Sequence, residues 1–131
     1  MRFTERELTV ALEGAAKTML AAQDKSVRKG RRTADEAWAE LGRYQRFQLL
    51  DGLGDQLLPV LVGLPDVEVA VGTRPTFTDA QVRAAVEERL GELRGIKRRV
   101  LLEARVALVR VALESVPPRQ DPDALIVPDH L

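Results

Sequence analysis

The chain has 131 residues, 45% of them hydrophobic and 31% charged, and its twenty Lys and Arg balance twenty Asp and Glu. That size and balance specify one globular domain with a real core, since disorder needs fewer apolar residues and a larger net charge. A neutral chain with a pI near 6.6 does not grip polyanions over its whole surface, so any phosphate-binding function has to be local.

The start, Met1 to Arg6, runs charged into the first helix and offers no apolar run of the signal-peptide kind. Phe3-Thr4-x-x-Glu7-Leu8 reads as a helix start, with Thr4 and Glu7 as a capping box and Phe3 against Leu8 as a hydrophobic staple. Leu8, Ala11, Leu12, Ala15, Ala16, Met19 and Leu20 then recur on one helical face, which predicts an amphipathic helix over 5–23. The pattern breaks at Asp24 to Arg32. Here Lys25, Arg28, Lys29, Arg31 and Arg32 form the densest cationic cluster, on a loop or a frayed helix end.

Thr33 and Glu36 make a second capping box, and Ala37, Trp38, Leu41, Tyr44 and Phe47 supply a face for a helix to about Leu50. The aromatics are expected in the core. A turn is expected at Asp51-Gly52, followed by a short apolar helix through Leu57, Leu58, Val60 and Leu61. The apolar stretch from Leu49 to Leu64 is interrupted by Asp51, Gly52, Gly54, Asp55 and Pro59 and falls short of the ~20 residues of a bilayer span. Residues 66–73 alternate Val67, Val69 and Val71 with smaller or charged residues. With no partner strand in view they are expected to lie extended across the helices or to pair with a second copy.

Phe77-Thr78-x-x-Gln81-Val82 repeats the cap and staple of the first helix. It is read as the same local solution used twice, since the likeness fades after a turn or two. Val86, Leu90, Leu93, Val100, Ala104, Ala107, Leu108 and Val111 then follow one helical stripe, which allows a single helix over 79–116. Such a helix would be ~55 Å long, more than a domain of this size accommodates, so it must bend at Gly91 or Gly95 or protrude toward a partner. Leu102, Val106, Val109 and Leu113 form an opposing stripe, which predicts a central helix covered on both sides by the domain or by another chain. Val116-Pro117-Pro118 ends it. The expected fold is therefore all-α: a compact bundle of four to five helices over 1–116 with the long C-terminal helix as its central element. An extended Pro-containing tail follows over 117–131 and docks its apolar run, Leu125, Ile126 and Val127, on the domain or a partner.

Missing residue types restrict the chemistry. The chain has no cysteine, which removes disulfides, thiolate metal sites and cysteine nucleophiles and suits a reducing compartment. The single histidine, His130, sits beside the last residue, a poor position for a triad, an imidazole base or a zinc ligand. No phosphate-binding glycine pattern occurs, and no short turn of the helix-turn-helix kind is evident. Asp51 and Asp55, one helical turn apart beside glycines, are the minimum for a magnesium or acid–base pair but read better as a turn former and an N-cap. No catalytic, cofactor-binding or metal-binding residue is assigned, and no cofactor is expected.

Surplus apolar helix surface without catalytic groups points to a non-enzymatic helical interaction module, self-associating into a homo-oligomer through Leu102, Val106, Val109 and Leu113 or through Leu125, Ile126 and Val127. The alternative is a small nucleic-acid-binding or regulatory protein that uses loop 25–32. Arg43, Tyr44, Arg46 and Phe47 lie nearby in sequence, and Arg94, Lys97, Arg98 and Arg99 form a third basic cluster. Arginine outnumbers lysine sixteen to four, a bias of GC-rich coding, so a bacterial, cytoplasmic protein without a membrane span is the expectation.

Overall fold

Threonines open three of the six helices in the computed structural model of the chain, which describes residues 1–121. The helices are α1 (Glu5–Gln23), α2 (Lys25–Arg28), α3 (Ala34–Glu40), α4 (Arg43–Gly63), α5 (Asp79–Glu87) and α6 (Gly95–Ser115). At Thr4, Thr33 and Thr78 the hydroxyl accepts from the amide three residues on, and the Glu7, Glu36 or Gln81 side chain accepts from the capping amide in return. Two of the orphan amides at each start are thereby satisfied locally. The chain is all-helical among the described residues, and no described helix is long and apolar enough to cross a membrane.

The second predicted helix breaks ten residues earlier than expected. Leu41 and Gly42 take extended backbone angles, and α4 then runs unbroken through Gly52, Gly54 and Pro59. Propensity explains why a break was expected at 51–52: each interior Gly costs ~1 kcal/mol and an interior Pro ~3 kcal/mol relative to Ala. Burial decides the outcome, because Leu53, Leu57, Val60 and Leu61 are all buried on one side of α4, and each contributes ~1.5–3 kcal/mol. Pro59 is itself only half-buried, and a Cβ added at Gly54 would meet Leu58 and Leu12 at ordinary van der Waals distance. The shifted break also turns two aromatics outward. Trp38 is buried as expected, whereas Tyr44 is 71% and Phe47 60% exposed.

The predicted rod over 79–116 is divided. Gly91 and Gly95 both have positive φ, 65° and 71°, a region costly for other residues, and the chain reverses between them. α6 then returns beside α5, as the pairs Arg83 with Glu103 and Asp79 with Arg110 require.

The helix pair α1 and α6 forms the most extensive contact of the bundle, and α4 packs on both. Gly14 makes that contact close, since a Cβ there would stand 1.9 Å from Ser115 Oγ. On α6 the residues turned inward are Val106, Val109, Ala112 and, just past its end, Val116, with Leu102 and Leu113 packed against them. The opposite stripe is not covered: Val100 is 63% exposed, and Ala104 and Ala107 face solvent. α6 is therefore central on one broad side only, and the expectation of apolar cover on both sides is corrected.

The segment 66–73 crosses the helices without forming a strand. Val67 and Val69 pack on the core while Val71 is exposed. Its end is tied to the chain after α6, where the Gly72 amide donates to the Arg119 carbonyl (2.8 Å) and the Arg119 amide to the Thr73 carbonyl (2.7 Å). Residues 116–121 have no helical structure. The apolar run Leu125, Ile126 and Val127 and His130 lie outside the described residues.

Candidate interaction faces

The outer side of α6 carries an apolar ladder. Ile96 (82% exposed), Val100, Ala104, Ala107 and the half-buried Val111 recur every three to four residues, and Leu93 (41% exposed) precedes them. That spacing puts all five on one helical face. Arg99, Glu103, Arg110 and Glu114, all exposed, border the ladder on one flank. Glu103 takes two hydrogen bonds from the Arg83 guanidinium (2.6 and 3.0 Å), and Asp79 is bound by both Arg83 (2.8 Å) and Arg110. The Arg83 guanidinium holds Glu103 below the usual carboxylate range, and Glu103 in turn raises Arg83. These bonds tie α5 to α6 along that flank.

The four α6 residues nominated from sequence as an association surface do not form one. Val106 and Val109 are buried in the chain's own core, and Leu102 and Leu113 are packed against it. Helical periodicity locates two apolar stripes but carries no sign telling which of them turns inward. Val100, Ala104, Ala107 and Val111 were legible as an apolar stripe that was expected to be covered, and Ile96 was not read as part of it.

The cationic loop has an internal skeleton. Asp24 ends α1 and caps α2, its carboxylate accepting from the Ser26 amide (2.9 Å), the Ser26 hydroxyl (2.5 Å) and the Val27 amide (3.2 Å). Arg32 bonds Asp24 (2.6 Å) and, from its other nitrogen, Glu40 at the end of α3. The Ser26 hydrogen bonds and the Arg32 guanidinium hold Asp24 far below the ordinary carboxylate range, and Asp24 and Glu40 raise Arg32. Arg32 is thus neutralised twice and is unsuited to an external phosphate. Lys25, Arg28, Lys29 and Arg31 are exposed, and no salt bridge engages them among the described residues. The Arg32–Glu40 bond also brings the loop to the α3–α4 junction, from which the exposed Arg43, Tyr44 and Phe47 follow.

Two clefts open elsewhere. One, of about 220 Å³, lies between the 74–77 connector, Val82 and the end of α6 at Arg110, Leu113 and Glu114, and the Arg74 guanidinium closes one side by donating to the Glu114 carbonyl. The other, of about 430 Å³, lies between the start of α1 and Pro117–Gln120. Its wall holds the one buried carboxylate in the described core: Glu7, 4% exposed, accepts from the Thr4 amide (2.8 Å) and from both Arg119 Nε (2.9 Å) and its terminal nitrogen (3.1 Å). Burial pushes the Glu7 carboxyl up, but the Thr4 amide and Arg119 outweigh it and hold the group below its ordinary value.

Asp51 and Asp55 line neither cleft. Both are exposed in the interior of α4, so they serve neither as turn former nor as N-cap. Among the described residues no grouping of three carboxylate, imidazole or thiol side chains is placed to hold a metal ion. Comparison with protein-family models, curated proteins and solved structures finds no match. The two faces therefore rest on their own geometry.

Proposed function

We propose that this chain is a non-enzymatic helical interaction module that self-associates through the outer face of α6. The observation that carries the reading is the exposed ladder Ile96, Val100, Ala104, Ala107 and Val111 on a helix whose other side is already consumed by the core. Scattered single apolar residues are ordinary on a surface, but a contiguous helical row is the pattern used for helix pairing. Sedimentation velocity over a wide concentration range tests it. A concentration-dependent dimer or larger species is expected, and V100D should abolish it with the helical circular dichroism unchanged. A wild-type chain that sediments as a monomer throughout overturns the reading.

A second reading, polyanion binding at the cationic loop, is favoured by one observation: four exposed cations stand on a loop that Arg32 ties to the end of α3, and exposed Tyr44 and Phe47 follow in the first turns of α4. Exposed cations and exposed aromatics on one molecule suit single-stranded nucleic acid, whose phosphates and bases they engage separately. Binding to a mixed single-stranded pool at low salt should weaken steeply as salt rises. It should be lost in K25A/R28A/K29A/R31A, and equal binding by that variant ends this reading.

A further inference from the structure

We infer that the partner of the α6 outer face is a second copy of α6 laid antiparallel to the first, about a twofold axis passing between Val106 and Ala107. This rests on the self-association reading and adds its geometry. The exposed charges on the flank of the ladder alternate in sign along the helix: Arg99, Glu103, Arg110, Glu114. Arg99 with Glu114, and Glu103 with Arg110, share one midpoint, between Val106 and Ala107. Reversing the helix about that point sets every cation of one copy opposite an anion of the other. An in-register parallel pair instead sets this flank against the opposite flank of the copy, where Lys97, Leu101 and Leu108 stand, and leaves the alternating charges without partners. In an antiparallel pair related by a twofold axis, the flank of one helix faces the same flank of its copy, so the complementarity is realised across the contact.

The side chains are prepared unequally. Glu103 and Arg110 are held in place by Arg83 and Asp79 of α5, whereas Arg99 and Glu114 form no salt bridge among the described residues. The outermost pair is thus the one with charge left to satisfy. Side-chain size along the ladder is compatible with this register, its own centre lying one residue from the axis. Ala104 and Ala107 lie next to the midpoint, where methyl groups let two helix axes come to roughly 8 Å. The larger Val100 and Val111 lie toward the two ends, and Val100 of one helix stands within about 3 Å along the axis of Val111 of the copy.

The absence of cysteine makes the register measurable with single-cysteine variants. A107C stands beside the axis and should give a disulfide-linked dimer under mild oxidation. V100C should not link to itself, because its two copies stand roughly 20 Å apart along the pair. Charge exchange supplies an independent arm at low salt. R99E places carboxylate against carboxylate and E114R guanidinium against guanidinium, and each alone should weaken dimerisation roughly tenfold. An equimolar mixture of the two variants joins opposite charges at both ends and should associate as a heterodimer, and the double variant R99E/E114R should dimerise as the wild type does. Thermal melts of each variant report whether the fold is kept. A monomeric wild-type chain overturns both this geometry and the self-association reading. A dimeric wild-type chain whose V100C variant links to itself, or whose mixed charge variants fail to pair, overturns the antiparallel register alone.

Discussion

Replacing Gly14 by Ala adds a single methyl group at the closest approach of α1 and α6, and two opposing effects set the outcome. Helix propensity alone favours the change by ~1 kcal/mol, since Gly is a poor residue in a helix interior. The contact opposes it: the added carbon would stand 1.9 Å from Ser115 Oγ and 2.4 Å from Ser115 Cβ. The hydroxyl is able to rotate away at the expense of its 2.8 Å bond to the Val111 carbonyl, but the Ser115 Cβ is attached to the backbone and moves only if the helices separate. Such overpacking costs ~1–3 kcal/mol and would spread along the most extensive helix contact of the bundle. Contacts this short call for the upper part of that range, ~2–3 kcal/mol, so the net expectation is a loss of ~1–2 kcal/mol, or roughly 4–8 °C in Tm for a domain of this size. Urea titration followed by the fluorescence of Trp38, the sole tryptophan and a buried one, reads it directly. In G14A/S115G the nearest remaining atom, the Ser115 Cα position at 3.8 Å, is an ordinary neighbour, so most of the loss should be recovered. A G14A chain as stable as the wild type, or more so, would refute the argument that this glycine is required by close packing.

Two further predictions concern the charged anchors. R119A leaves the buried Glu7 carboxylate without its cation and should cost ~1–3 kcal/mol at pH 7. Because Glu7 titrates below its ordinary value in the folded chain, its stabilisation is present above the usual carboxylate range and is lost as pH falls through the folded value. The gap between wild type and R119A should therefore narrow from pH 7 to pH 3 in denaturant titrations, and an equal gap at both would contradict the assignment. D24A removes the cap of α2 and one partner of Arg32. Amides from Ser26 to Arg31 should exchange with deuterium faster while those of α5 keep their protection, and unchanged exchange in the loop would remove Asp24 from its anchoring role.

What was legible in the sequence follows the range of the interactions involved. The three Thr-x-x-Glu/Gln caps act within one turn and were read correctly to the residue. Proline after α6 ended it where expected, and of the bend or protrusion that the length argument left open, the structure has the bend, with positive φ at both Gly91 and Gly95. The path of α4 through Gly52, Gly54 and Pro59 was not legible, because it depends on four residues being buried against helices far away in sequence, and local propensity points the other way. Tyr44 and Phe47 fell outside the core for the same reason, since moving the break to Leu41–Gly42 resets the helical phase of everything after it. The inward side of α6 was hidden by the similar apolar character of its two stripes. Only the asymmetric cover by α1, α4 and α5 separates them. The Glu7–Arg119 pair spans almost the whole described chain, and no spacing rule connects residues that distant.

The double engagement of Arg32 changes what its segment is. A run of five basic residues suggests a floppy string of positive charge, yet one of the five is an internal brace whose own charge is cancelled on both sides. The net charge presented outward is accordingly smaller than a residue tally implies, and the backbone that carries the remaining cations is held by the Asp24 cap and the Arg32 brace. A binder of that surface would therefore lose less of its affinity to immobilising the backbone than to ordering the four long side chains themselves.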